Sequence, residues 1–66
     1  MKITLNGATQ NLHEELSITE LVRDLQLDPR KIAIERNLCI VPANEYEETY
    51  LQEGDVLEVV EFIGGG

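Results

Sequence analysis

Three glycines, Gly64-Gly65-Gly66, follow directly on an apolar, strand-like run, Val56-Leu57-Glu58-Val59-Val60-Glu61-Phe62-Ile63. Glycine has no Cβ and reaches backbone angles closed to other residues, so it serves where a backbone must approach something closely. A rigid strand running into three such residues predicts a thin, flexible arm with a carboxylate at its tip. That shape suits entry into a narrow channel on another protein, and the chemistry it offers is that of the Gly66 carboxyl group. The plain alternative is a frayed tail or a cloning scar, because chain ends are commonly disordered. The rest of the chain has to decide between them.

Few other side chains compete for a chemical role. With one cysteine, Cys39, and one histidine, His13, the chain can form neither an intramolecular disulfide nor a Cys/His zinc site. His13-Glu14-Glu15-Leu16 has a superficial likeness to a zinc-protease helix but lacks the second histidine, and reads as a solvated loop. Cys39 lies in an apolar run, where a cysteine is expected to behave as a small hydrophobe. Glu14/Glu15 and Glu47/Glu48 have the chemistry of an acid–base couple, yet nothing in so small a domain builds a pocket around them. Tyr46 and Tyr50 are expected to pack against a sheet. The chain is therefore not expected to be an enzyme by itself, nor to hold a metal or a bound cofactor.

Charge narrows the partners. The five basic residues, Lys2, Arg23, Arg30, Lys31 and Arg36, all precede position 37, whereas Glu45, Glu47, Glu48, Glu53, Asp55, Glu58 and Glu61 follow it. Nearly all of the net charge of −8 thus sits in the last part of the chain. Such a surface repels phosphate backbones and anionic lipid, which argues against nucleic acid and membrane. It favours a positively charged protein surface instead, although any single acid is better explained by solubility.

Sixty-six residues allow one domain, which should bury only about 60% of the surface its unfolded chain exposes. Without a disulfide or metal, packing alone must hold it, and the cysteine usage suits a reducing cytosol. No run approaches the roughly 20 apolar residues of a membrane span, and Met1 to Gly7 is too polar for a signal peptide. The expectation is a cytoplasmic protein.

The elements that must position the glycines read β-β-α-β-β-β. Ile3 and Leu5 alternate with Lys2 and Thr4, a strand period. Asn6-Gly7 then predicts a two-residue hairpin turn, with Ala8 to Leu12 as the return strand. Ser17 opens a helix, where Glu20 completes a capping box. Ile18, Leu21, Val22 and Leu25 make one apolar face, and Asp28-Pro29 ends it. Lys31 to Glu35 and Cys39 to Val41 read as short strands joined through Arg36-Asn37-Leu38. Asn44 with Glu47 is placed to cap a single helical turn, and Gly54 in Glu53-Gly54-Asp55 is placed for positive φ. Along the last strand Leu57 and Val59 share one face, while Val56, Glu58, Val60 and Phe62 share the other. The first pair is assigned to the core with Ile3, Leu5, Ile18, Leu21, Val22 and Leu25. A one-residue slip would exchange the faces and bury Phe62 instead.

This order suggests an α+β fold of the β-grasp type, a mixed sheet of about five strands wrapped on one main helix. The sequence resembles the ThiS family, ubiquitin-like sulfur carriers of thiamin thiazole biosynthesis. The residues that carry the resemblance are Ile3-Thr4-Leu5-Asn6-Gly7, Ser17-Ile18-Thr19-Glu20-Leu21-Val22 and Ile40-Val41-Pro42 with Tyr46. Gly54-Asp55-Val56-Leu57-Glu58-Val59-Val60, running into Gly64-Gly65-Gly66, completes the set. They cover nearly the whole chain in order, and divide it into a domain over 1–63 and a glycine arm over 64–66.

The resemblance implies a protein co-substrate. A ThiF-like adenylating enzyme would join the Gly66 carboxylate to AMP from ATP, and a sulfur donor enzyme would supply the atom that leaves a thiocarboxylate. A ThiG-like thiazole synthase would receive the sulfur. Gly64, Gly65, Phe62, Val60, Glu58 and Glu61 would form the partner-binding surface, an aromatic anchor beside an acidic rim. Two other functions stay open: a MoaD-like carrier for molybdopterin synthesis, and an interaction module with no chemistry at its end. The short length and third glycine favour the ThiS type over the former.

Overall fold

A computed structural model describes residues 1–62. Among them the chain forms β1 (Lys2–Leu5), β2 (Ala8–Asn11), α1 (Ile18–Asp24), β3 (Ile32–Arg36), β4 (Cys39–Val41) and β5 (Val56–Glu61). Single 3-10 turns lie at Pro29–Lys31 and Ala43–Glu45. The five strands make one sheet in the order β2-β1-β5-β3-β4. Both flanking pairs are antiparallel hairpins, whereas β5 runs parallel to β1 and antiparallel to β3. The last strand is therefore the central one.

Local chemistry explains the edges of these elements. Asn6 and Gly7 both hold positive φ, 48° and 82°, as a two-residue turn with the twist of a hairpin requires. The Ser17 hydroxyl accepts from the Glu20 N–H and the Glu20 carboxylate accepts from the Ser17 N–H, closing the capping box. The Ser17 N–H, and after it the Ser17 hydroxyl, hold the Glu20 carboxyl below its usual range.

The helix ends four residues earlier than the proline predicts. Gln26 adopts φ 60°, its N–H donates to the Arg23 carbonyl, and the Leu27 N–H donates to the Val22 carbonyl. That pair of bonds is a Schellman stop, made here without glycine. It turns the chain before a third helical turn can form, so Leu25, expected in the core, is 38% exposed.

The core lies between α1 and one face of the sheet. Ile3, Ile18, Leu21, Val22 and Leu57 are buried as the alternation and the helical face require, and Leu5 and Val59 are half-buried against them. Leu16, Ile32, Ile34, Val41, Tyr46 and Leu51 complete the cluster. Tyr46 thus packs as expected, but Tyr50 is exposed and only its backbone bridges to Ser17. Cys39 is exposed as well, contrary to its assignment as a small hydrophobe. It pairs with Arg36 at the mouth of the β3–β4 turn, on an edge strand of three residues. The turn at Ala43–Glu45 starts from Pro42 and has no side-chain cap, so Asn44 does not serve as one.

Candidate functional site at the last strand

Everything that could present the glycines rests on β5. At its start, Asp55 is buried, and its carboxylate accepts from Arg36 Nε at 2.8 Å, Asn37 Nδ2 at 3.0 Å and the Gln52 N–H at 2.8 Å. Burial alone would push this carboxyl up. The bonds from Arg36, Gln52 and Asn37, with the guanidinium charge, outweigh it and hold the group below its usual range. Asn37 also takes the Val56 N–H on its Oδ1 at 2.9 Å, and its own N–H donates to the Val56 carbonyl. The β3–β4 turn is thereby bonded to the first residue of β5 as well as to the acid before it.

Further along, Asn6 repeats the device from the other side. Its Oδ1 accepts from the Val59 N–H at 2.7 Å and its Nδ2 donates to the Val59 carbonyl at 3.2 Å. The ladder to β3 continues to the end, where the Phe62 N–H donates to the Lys31 carbonyl.

The two faces of β5 are as the alternation assigns them. Leu57 points to the helix, while Val56, Glu58 and Val60 lie on the open face beside Ala33, Glu35 and Ile40 of the neighbouring strands. Val60 is 58% exposed and Phe62, just past the strand, 52%. Glu58 stands directly across from Glu35. An apolar patch with two adjacent carboxylates results, suited to meeting a partner that brings apolar and basic groups together.

Glu61 does not join this patch. It opposes buried Ile32 and lines a small hollow on the helix side with Leu5, Asn6, Leu25, Leu27 and Val59. Of the expected surface, the structure brings Glu58 and Val60 together, leaves Phe62 exposed just past the strand, and sets Glu61 on the helix side. Gly64, Gly65 and Gly66, with Ile63, lie outside the described residues.

Sequence reasoning missed Ile40, Glu35 and Ala33 on the patch, and the roles of Asn6 and Asn37. The strand alternation in β3 and β4 could have found the first three. No local signal points to the asparagines' partners.

A larger groove of about 550 Å³ lies between α1 and the Ala43–Glu47 segment, lined by Val22, Arg23, Leu27 and Tyr46 among others, none of them on β5. Among the described residues no group of three His, Cys, Asp or Glu is placed to hold a metal. No described helix is long and apolar enough to cross a membrane.

A five-stranded mixed sheet with the last strand at its centre and one helix across one face is the ubiquitin-like β-grasp arrangement. The comparisons narrow this. A model of the ThiS family matches residues 3–66, and the chain belongs to the ThiS family. The sulfur carrier protein ThiS of Bacillus subtilis is 38% identical over 65 residues, covering 97% of this chain and 98% of the relative. The crystal structure of the thiamine biosynthesis protein ThiS from Geobacter metallireducens superposes with a TM-score of 0.85 at 29% identity, covering all of both chains. A thiazole synthase of Paramagnetospirillum magneticum is 44% identical over all 66 residues. The chain spans only 20% of that protein's length, and the same share of a second thiazole synthase, from Magnetococcus marinus.

Proposed function

We propose that this chain is a sulfur carrier for thiamin thiazole formation, acting as a protein co-substrate through the carboxyl group of Gly66. A carboxylate is anionic and a poor electrophile. An adenylating partner would let its oxygen attack the α-phosphorus of ATP, releasing pyrophosphate and leaving an acyl-adenylate. Hydrosulfide supplied by a donor enzyme would then attack the same carbonyl, forming the C–S bond as the C–O bond to AMP breaks and AMP leaves. The product, a thiocarboxylate, carries a soft and strongly nucleophilic sulfur, as cysteine thiolate does. A thiazole synthase would take that sulfur into the ring.

One observation carries this reading: the family match spans residues 3–66, from the first strand through the glycines. The geometry supports it. The strand that leads to the glycines is held at the centre of the sheet, and its exposed side carries Glu58 and Val60, with exposed Phe62 just beyond it. The thiazole synthases in which a like segment makes up a fifth of the length support the choice of acceptor. ATP would belong to the activating partner, and the carrier would act in the cytoplasm with it.

The test is the intact mass of the chain after incubation with an adenylating partner, ATP and a sulfur source. The mass should rise by the difference between a sulfur and an oxygen atom, with fragmentation placing the change on Gly66. An unchanged mass with a demonstrably active partner and a free Gly66 carboxyl would overturn the proposal in favour of an interaction module.

A further inference from the structure

Strand β1 pairs with β5 only as far as Leu5 opposite Leu57, and its last backbone bond to β5 runs from the Asn6 N–H to the Leu57 carbonyl. There the chain turns away at Asn6-Gly7. The next β5 residue with its polar groups on that side is Val59, and both of them are met by the Asn6 side chain, the N–H at 2.7 Å and the carbonyl at 3.2 Å. A carboxamide carries the same donor and acceptor as a peptide group. The Asn6 side chain therefore takes the place of the rung that β1 no longer supplies. We infer that Asn6 is a positioning residue for the reaction at Gly66, holding the end of the last strand in the sheet so that the glycines start from a fixed point. The inference rests on the carrier reading given above.

Its consequence is one of reach. With β5 held through Val59 and laddered to β3 as far as Phe62, four residues separate the last ladder bond from the end of Gly66. At full extension they span about 14 Å. If the clamp opens, the β1 side of the strand beyond Leu57 has no partner among the described residues, and the end of β5 hangs on β3 alone. The same carboxyl group would then be delivered from a looser base, and placing a reacting group loosely slows a reaction even where binding is intact.

Asn6 is well suited to test because its turn role can be separated from its clamp. Glycine accepts φ 48° freely, so Asn6→Gly keeps the hairpin turn and removes only the amide. Asn6→Asp keeps an oxygen to accept from the Val59 N–H but loses the donor to its carbonyl. Amide hydrogen exchange at Val59 should accelerate about tenfold in Asn6→Gly, with exchange at Leu57 and the thermal midpoint nearly unchanged, as for a local opening. The single-turnover rate of adenylate formation at saturating partner should fall about tenfold, with the partner concentration for half-saturation unchanged and Asn6→Asp restoring part of the rate.

Unaltered exchange at Val59 would overturn the clamp. An unaltered rate despite faster exchange would overturn the positioning role. A rate that falls only in step with global stability, with no recovery in Asn6→Asp, would reduce Asn6 to a structural residue and overturn it too. Wild-type chain that is never adenylated would instead defeat the carrier reading, and this role with it, while the exchange result still reported on the clamp.

Discussion

The two hairpin turns share one backbone and differ in everything around it. Asn6-Gly7 and Asn37-Leu38 both hold positive φ at both positions, 48° and 82° in the first, 52° and 71° in the second. Each asparagine sends its side chain to β5. Asn37 works inside a network built on buried Asp55, with Arg36 and the Gln52 N–H as further partners. Asn6 works alone and exposed, with two bonds to one residue. The start of the last strand is thus welded to the scaffold by charge, while its far half, nearest the glycines, is laddered to β3 but held on its β1 side by a single amide. Stability is concentrated at one end and adjustability at the other.

Breaking the charged end should have the largest effect. Asp55→Ala leaves Arg36, Asn37 Nδ2 and the Gln52 N–H without their acceptor, and should cost about 3 kcal/mol in urea unfolding. The same carboxylate sets a pH dependence. Its folded pKa lies below the unfolded value, so its contribution is complete above roughly pH 4 to 5 and disappears as pH falls through the depressed folded value. Asp55→Asn should flatten that part of the acid unfolding curve, and a curve of unchanged shape would show that the acid limb belongs to other carboxylates.

Asn37→Gly comes next. It keeps the positive φ but frees the Val56 N–H and one Asp55 oxygen, for a loss of about 1.5 kcal/mol. Equal losses for Asn37→Gly and Asn6→Gly would erase the contrast between the two ends.

The smallest effect should have the opposite sign. Leu38 holds φ 71° while 90% exposed, so its left-handed backbone is rewarded by no burial. Leu38→Gly should raise stability by about 0.5–1 kcal/mol, the relief of the Cβ clash less the greater freedom of glycine when unfolded. A loss instead would mean that the leucine makes contacts in solution that its exposure conceals.

What could be read from the sequence was local. Asn6-Gly7 and the Ser17/Glu20 capping box are short motifs whose geometry is set by residues within three positions, and both elements form where they predict. The alternation along Val56–Glu61 assigned Leu57 to the core and Val60 to the open face. The helix end was misplaced because Gln26, not a glycine, takes the left-handed stop, and nothing about glutamine announces it. Leu16 and Leu51 lie outside any regular element, so no period marks them as core, although each is buried. The amide clamps were illegible for a simpler reason. Asn6 meets Val59 across 53 positions, and an asparagine in a turn looks complete without a distant partner.

The place of β5 also orders events in time. A chain leaving the ribosome makes both hairpins before it makes the strand that lies between them in the sheet, and domains fold as units. Until that strand arrives, β1 and β3 have no common neighbour and the helix has only part of a surface to cover. Closing the sheet joins β1 to β5 across some 50 residues, the costly kind of contact that rewards the chain only once it is made. The glycines follow within five residues of Glu61. An incompletely synthesised chain therefore has no finished sheet, and under the proposed function it would have no reacting end to offer an activating enzyme.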